Sequence, residues 1–397
     1  MPLSRIQPDR YQALLDEKVS RVCKLLQPFL PPEPQIVESA SLGFRQRAEF
    51  RMWHDGDALD YVMYRPGEPK HPIVIEDFPV ASDAIRALMP TLKARLTESA
   101  PLRKKLFQVE FLGSLTGDIL VSLIYHRKLD DNWEQAARYL AHDLNSGSDN
   151  LSIIGRSRGQ KLVIGRDFTR ERLPIHNREY HYRQYEQAFS QPNGQVNIRM
   201  VEWACERASK LNGDLLELYC GNGNFTLPLS QHFHQVIATE VSKTSIRAAR
   251  ANVEENHIRN IHMVRMSAEE TSEALRRVRT FRRLAALPQP LDQYTLDTLF
   301  VDPPRAGLDE QTTDMAKNFS NIIYVSCNPD TLAKNLHTFD TTHTIEHFAL
   351  FDQFPYTDHM ECGVLLQKRH RKTPSGAHRM TATRAPAPHP DEQHHRR

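Results

Sequence analysis

The run E-L-Y-C-G-N-G-N-F, residues 217 to 225, carries an apolar strand (L-L-E-L-Y-C) into a two-glycine turn that opens a helix. Gly221 and Gly223 lack the Cβ that would keep a ligand away from the backbone. The same rhythm repeats outward from this point. Q-V-I-A-T-E (235 to 240) is a second strand, followed by a helix from Ser242 to Glu255. I-H-M-V-R-M (261 to 266), L-D-T-L-F-V-D-P-P (296 to 304) and I-I-Y-V-S-C (322 to 327) supply three more strands. Strands alternating with helices predict a doubly wound α/β sheet, Rossmann-like, over residues 176 to 367. Ligands of such sheets sit at the carboxyl ends of the strands.

The turn lacks the third glycine of dinucleotide binders, since Phe225 and Thr226 stand in its place. A cofactor without phosphates is therefore favoured. Glu240 ends the second strand, where a carboxylate can accept both hydroxyls of a ribose. Turn, acid and V-D-P-P-R (301 to 305), in that order, point to S-adenosylmethionine. Asp302 closes the fourth strand, and Arg305 stands where amino-group methyltransferases place a ring for stacking a base. N-methylation is disfavoured by that arginine.

Two strand edges carry reactive groups. Cys327 follows I-I-Y-V-S, and Glu361 lies in H-M-E-C-G just before a strand from Cys362 to Leu366. A thiol and a carboxylate so placed can serve as covalent nucleophile and general base. Each taken alone also fits a core thiol and a surface acid.

Residues 1 to 175 mix strands and helices without a βαβ rhythm and predict a separate α+β domain. An opening helix is expected from Asp9 to Leu26, with further helices over Ala81 to Leu96 and Trp133 to Leu144. Basic residues cluster beside aromatics in F-R-Q-R-A-E-F-R (44 to 51), R-K-K-L-F (103 to 107) and H-R-K (126 to 128), with a basic turn in R-S-R-G-Q-K (156 to 161). Cations for phosphates and rings for unstacked bases suit RNA recognition, while a solvated strand face accounts for the same charges.

The net charge of the 397 residues is +2, unevenly spread. From residue 368 onward there are eight Lys or Arg against two acids, so residues 368 to 397 read as a disordered basic tail. The five cysteines form no C-x-x-C pair, which speaks against a zinc ribbon or a four-cysteine iron–sulfur cluster. No apolar run is long enough to span a bilayer. A reducing, cytoplasmic setting is expected.

F-S-Q-P-N (189 to 193), the glycine turn, V-D-P-P-R-A-G-L (301 to 308), S-C-N-P (326 to 329) and T-D-H-M-E-C-G (357 to 363) together resemble the RNA uracil-C5 methyltransferase family. F-R-Q-R-A-E-F-R-M-W-H-D-G and L-F-D-Q-F-P-Y-T narrow the resemblance to its TrmA-type tRNA branch, over residues 10 to 367. The absence of a four-cysteine motif favours tRNA over rRNA. The resemblance implies Cys327 as nucleophile and Glu361 as base, with His359 as the other base to consider. It places Gln191, Tyr219, Gly221, Asn224, Glu240 and Asp302 against S-adenosylmethionine. It also implies the T-arm of tRNA as partner and uridine 54 as target, with no membrane, metal or cluster; the alternatives are the same chemistry on rRNA or transfer-messenger RNA, and an RNA-binding or folding protein with secondary methyl transfer. Arg47, Arg51 and Phe107 are the candidates for holding the RNA while the base leaves its stack.

Overall fold

The computed structural model describes residues 5–65, 67–68, 71–145 and 147–369; the basic stretch from residue 370 on lies outside these. The chain opens with helix α1 (Tyr11–Leu26), which buries Leu15, Lys18, Val22 and Leu26 along one stripe. A short strand β1 (Gln35–Val37) follows.

A seven-stranded sheet comes next. It is built from β2 (Arg47–Asp55), β3 (Ala58–Tyr64), β4 (Pro72–Val74), β5 (Leu106–Gly113), β6 (Ile119–Tyr125), β7 (Leu151–Ser157) and β8 (Gln160–Ile164). Its order is β4-β3-β2-β5-β6-β7-β8. Helices α2 (Asp83–Glu98), α3 (Ala100–Arg103) and α4 (Asp131–Asn145) pack on one face. The other face presents Glu49, Arg51, Gln108 and Arg156. In β2 the residues alternate strictly, with Ala48, Phe50 and Met52 turned to the helices. Strands β6 and β7 pair in parallel across α4, a βαβ crossover that a single unit among hairpins does not reveal as a rhythm.

The hairpin of β9 (Phe168–Ile175) and β10 (Arg178–Tyr185) leads through α5 (Gly194–Ala208) into the second sheet. That sheet uses β11 (Asp214–Leu218), α6 (Thr226–Leu229), β12 (Val236–Thr239), α7 (Lys243–Glu255), β13 (Ile261–Val264), α8 (Ala268–Leu275) and β14 (Leu296–Val301). It continues through α9 (Glu310–Ala316), β15 (Asn321–Ser326), α10 (Pro329–Phe339), β16 (His343–Phe351) and β17 (Glu361–Lys368). The order is β1-β16-β17-β15-β14-β11-β12-β13, and β17 runs antiparallel to both neighbours. The chain steps outward from β11 to β13, then returns to β14 on the other side of β11. Their carboxyl ends flank the crevice where the order reverses. The doubly wound α/β expectation holds.

The boundary expected at residue 175 is not where the two sheets part. Strand β1 pairs in parallel with β16, and α1 packs against α10, so α1 and β1 belong spatially to the second sheet. The hairpin straddling residue 175 sends Leu173, Ile175, Tyr180 and Tyr182 into the same core as α5. Both are non-local pairings, decided by partners distant in the chain.

Candidate active site

At the crevice, β11 ends in a turn of left-handed residues: Tyr219 (φ 60°), Gly221 (φ 56°) and Gly223 (φ 88°). A Cβ at Gly223 would lie 2.6 Å from a Leu227 methyl. Tyr219 has no such freedom, and its conformation costs about 1–3 kcal/mol. The turn is held in part by Glu240, whose carboxylate accepts the N–H of Gly221 (3.2 Å) and of Ser242 (2.7 Å). A carboxylate has about four acceptor positions, so two remain for hydroxyls of a ligand. Asn224 lies in the same turn, but its amide pairs reciprocally with Asn197 at 2.9 Å.

Gln191 enters from the linker before α5. Its Oε1 is buried and has no hydrogen-bond partner. Arg47 donates to the carbonyls of Glu186 and Ala188 (3.0 Å each), and Gln46 N–H donates to Pro192 O (2.7 Å). Arg47, read from sequence as a contact for RNA, thus spends its guanidinium fastening the Gln191 linker.

Asp302 follows β14, Cys327 follows β15, and Glu361 begins β17. Ser326 is paired with Cys362 across the antiparallel ladder, so the residue after Ser326 and the residue before Cys362 set Cys327 opposite Glu361. Side chains so opposed point to one face of a sheet. Glu361 is 3% exposed, and its Oε2 finds no partner. Burial and the adjacent Asp302 push its carboxyl well above the usual range, against the pull of Arg305. Burial raises Asp302 to about 7. Burial, with the charges of Glu361 and Asp302, raises the Cys327 thiol to about 11, again opposed by Arg305. A cationic environment is what such a thiol lacks.

The S-C-N-P turn is built by local chemistry. Asn328 caps α10 by accepting the N–H of Asp330, and Pro329 takes the first helical position. Asn328 and Thr331 donate to the carbonyl of Arg305 (3.1 and 3.2 Å), tying this turn to D-P-P-R. Arg305 meets His359 at 2.9 Å, and burial and then Arg305 lower the pKa of His359. Gly363 is required two residues beyond Glu361, because a Cβ there would lie 2.8 Å from the Trp203 ring.

The profile of the tRNA (uracil-5-)-methyltransferase family matches residues 10–369. The chain belongs to this family. It is 52% identical over 369 residues to the tRNA/tmRNA (uracil-C(5))-methyltransferase of Aromatoleum aromaticum, covering 93% of this chain and 98% of that one. The protein of the same name from Azotobacter vinelandii is 51% identical over 369 residues, covering 93% of this chain and all of its relative. In overall shape the chain resembles the crystal structure of Pyrococcus abyssi tRNA (uracil-54, C5)-methyltransferase in complex with S-adenosyl-L-homocysteine. The TM-score is 0.68 at 23% identity, over 90% of this chain and 83% of that one. This likeness shows the Rossmann-like methyltransferase fold.

Within this family member, Glu217 and Lys18, to which sequence reasoning gave no role, stand at the site or beside it, and His126 of the basic run 126 to 128 takes a definite place. Glu217, on β11, is 1% exposed with an unpartnered Oε2, and burial raises it to about 8, with Thr226 opposing and Asp302 adding to the rise. It sits inside the quoted glycine motif, where an acid within an apolar strand was the available signal. Lys18 of α1 is buried against Asp352 and donates to the carbonyls of Phe354 (3.3 Å) and His359 (3.1 Å). It thereby pins the segment that delivers Glu361. His126 stacks on Phe107 with ring centroids 3.9 Å apart, while the Arg51 guanidinium lies 3.9 Å from the other ring's centroid. Arg51 and Phe107 are therefore parts of one stack on the sheet's uncovered face. Cys220 and Cys362 are buried, and burial raises both thiols well above their ordinary range.

Proposed function

We propose that the protein methylates C5 of uridine 54 in the T-loop of tRNA, using S-adenosylmethionine, with Cys327 as covalent nucleophile and Glu361 as base. The observation that carries this reading is the pairing of Ser326 with Cys362, which aligns the thiol and the carboxylate on adjacent strands beside Asp302. Family membership supplies the reaction class.

The crevice residues fit the cofactor. Glu240 keeps acceptor positions for a ribose, Gln191 Oε1 is unpaired, and the glycine turn admits a ligand to the backbone. When bound, S-adenosylmethionine supplies an electrophilic methyl group on a sulfonium. Uracil C5 is too weak a nucleophile unaided. Cys327 Sγ adds to C6, the C5=C6 electrons move into the ring carbonyl, and C5 becomes enolate-like. Once C5 carries its methyl, Glu361 takes the C5 proton, C5=C6 re-forms and the Cys327 thiolate is expelled. The raised carboxyl of Glu361 suits this role, because a base near neutrality can both accept and release a proton.

A uridine within a folded loop must leave its stack to reach Cys327. Arg51 and Phe107 hold the loop meanwhile, through the stack they form with His126. A second reading, the same chemistry on transfer-messenger RNA, is favoured by the names of the curated relatives. Mapping 5-methyluridine in total RNA from cells with and without the gene tests both. Loss at tRNA position 54 is the expected result; loss confined to rRNA, or no loss, would overturn the assignment.

A further inference from the structure

Three basic runs far apart in sequence meet at one end of the strands of the seven-stranded sheet, before β5, after β6 and at the end of β7. The His126 N–H donates to the Lys105 carbonyl (3.1 Å), and Arg127 Nε donates to the Lys104 carbonyl (2.9 Å). The Ser157 hydroxyl closes the third side by donating to the Arg127 carbonyl. The segments 103 to 105, 126 to 128 and 156 to 158 are thus stitched together. The groove between the last two, about 810 Å³, is lined by Tyr125, His126, Lys128, Arg156, Ser157 and Arg158 among others.

The charges at this end of the sheet divide into two sets. Arg103 is paired with Asp57, Arg156 with Glu186, and Arg127 is anchored on the carbonyls of Pro101, Lys104 and Lys128. Lys104, Lys105, Lys128 and Arg158 are exposed, and among the described residues none of the four has a carboxylate partner. Four free cations in a row repel one another unless an anion joins them. They begin two residues from Phe107, whose ring is already stacked between Arg51 and His126.

We propose that this rim binds the sugar-phosphate backbone of the RNA strand leading away from the target loop, with phosphates on Lys104, Lys105, Lys128 and Arg158. The proposal rests on the reading of the protein as an RNA methyltransferase and adds where its RNA runs. The exposed His126 ring at the end of this stack can accept an unstacked base and the cations can accept phosphates, and here the two are contiguous. Phosphate contacts position the substrate without reading its sequence.

The test uses an unmodified tRNA transcript and two double variants of the full chain, Lys104→Gln with Lys105→Gln and Lys128→Gln with Arg158→Gln. All four positions are exposed, so folding is unaffected, and thermal unfolding checks this. Each phosphate contact contributes about 0.7–0.9 to the slope of log binding constant against log salt. Each double variant is expected to lower that slope by about 2 and to weaken binding at low salt, while kcat at saturating RNA is kept. Unchanged slope and affinity in both variants would overturn the proposal. A wild type that binds the transcript but forms no 5-methyluridine would strike the functional reading instead, with the rim's contact still measured by the slope.

Discussion

Ser326 on β15 and Cys362 on β17 form the last paired rung of an antiparallel ladder. The residue after one is Cys327, and the residue before the other is Glu361. The register of two strands thus sets the spacing of a thiol and a carboxylate, which no loop could hold as rigidly. Burial first, and then the charges of Glu361 and Asp302, raise the pKa of the thiol there.

Replacing Cys327 by serine should abolish methyl transfer while sparing cofactor binding. A hydroxyl is a far weaker nucleophile at neutral pH, and the glycine turn is held by Glu240 through the N–H groups of Gly221 and Ser242, not by Cys327. Methyl transfer to tRNA and calorimetric titration of S-adenosylmethionine measure the two properties separately. Substantial 5-methyluridine from Cys327→Ser would place the nucleophile elsewhere.

Glu240→Ala should weaken S-adenosylmethionine binding by about 1–3 kcal/mol, roughly five- to 150-fold in Kd. The substitution strips the ribose of its acceptor and releases the N–H groups of Gly221 and Ser242 that shape the turn. Calorimetry gives the answer directly, and an unchanged Kd would remove Glu240 from the cofactor site.

The five parallel strands β11 to β15 of the second sheet were readable because each is a short apolar run between turn signals, from L-L-E-L-Y-C to I-I-Y-V-S-C. Cys327 and Glu361 were readable as strand-edge residues, each within a distinctive local motif. Their mutual facing was not, because it depends on β17 inserting antiparallel between β15 and β16. Lys18 and β1 escaped notice for the same physical reason. Lys18 finds Asp352 across 334 residues of chain, and Ile36 pairs with Leu350. Local periodicity shows that a face is apolar and leaves its partner undetermined. Arg47 looked like a surface cation because β2 alternates, yet its side chain turns back to hold a linker.

Glu217→Gln should stabilise the protein increasingly as pH rises. In the folded chain this buried carboxyl stays protonated up to about 8, while the unfolded chain ionises near the ordinary 4.5. Across that window unfolding releases a proton, so the wild type loses stability as pH rises. The contribution is up to about 1.4 kcal/mol per pH unit. Glutamine removes it. Urea unfolding of both proteins at two pH values, one near each end of the window, measures the gap; a gap independent of pH would show that Glu217 is ionised in the fold.

Glu361→Gln separates the two halves of the chemistry. Glutamine keeps the shape of the side chain but cannot take a proton, so addition of Cys327 to C6 and methylation of C5 proceed while elimination stalls. The Cys327–RNA adduct should accumulate as a denaturant-resistant species that carries the transferred methyl, visible by gel shift and mass spectrometry. The wild type should show such an adduct only with 5-fluorouridine RNA, where the fluorine replaces the proton to be removed. In the wild type, turnover should rise with pH as the raised Glu361 and Asp302 carboxyls ionise, Asp302 near 7. Near wild-type turnover by Glu361→Gln without a trapped adduct would make another group the base. His359 comes next, since burial and Arg305 hold its imidazole neutral and able to accept a proton at pH 7.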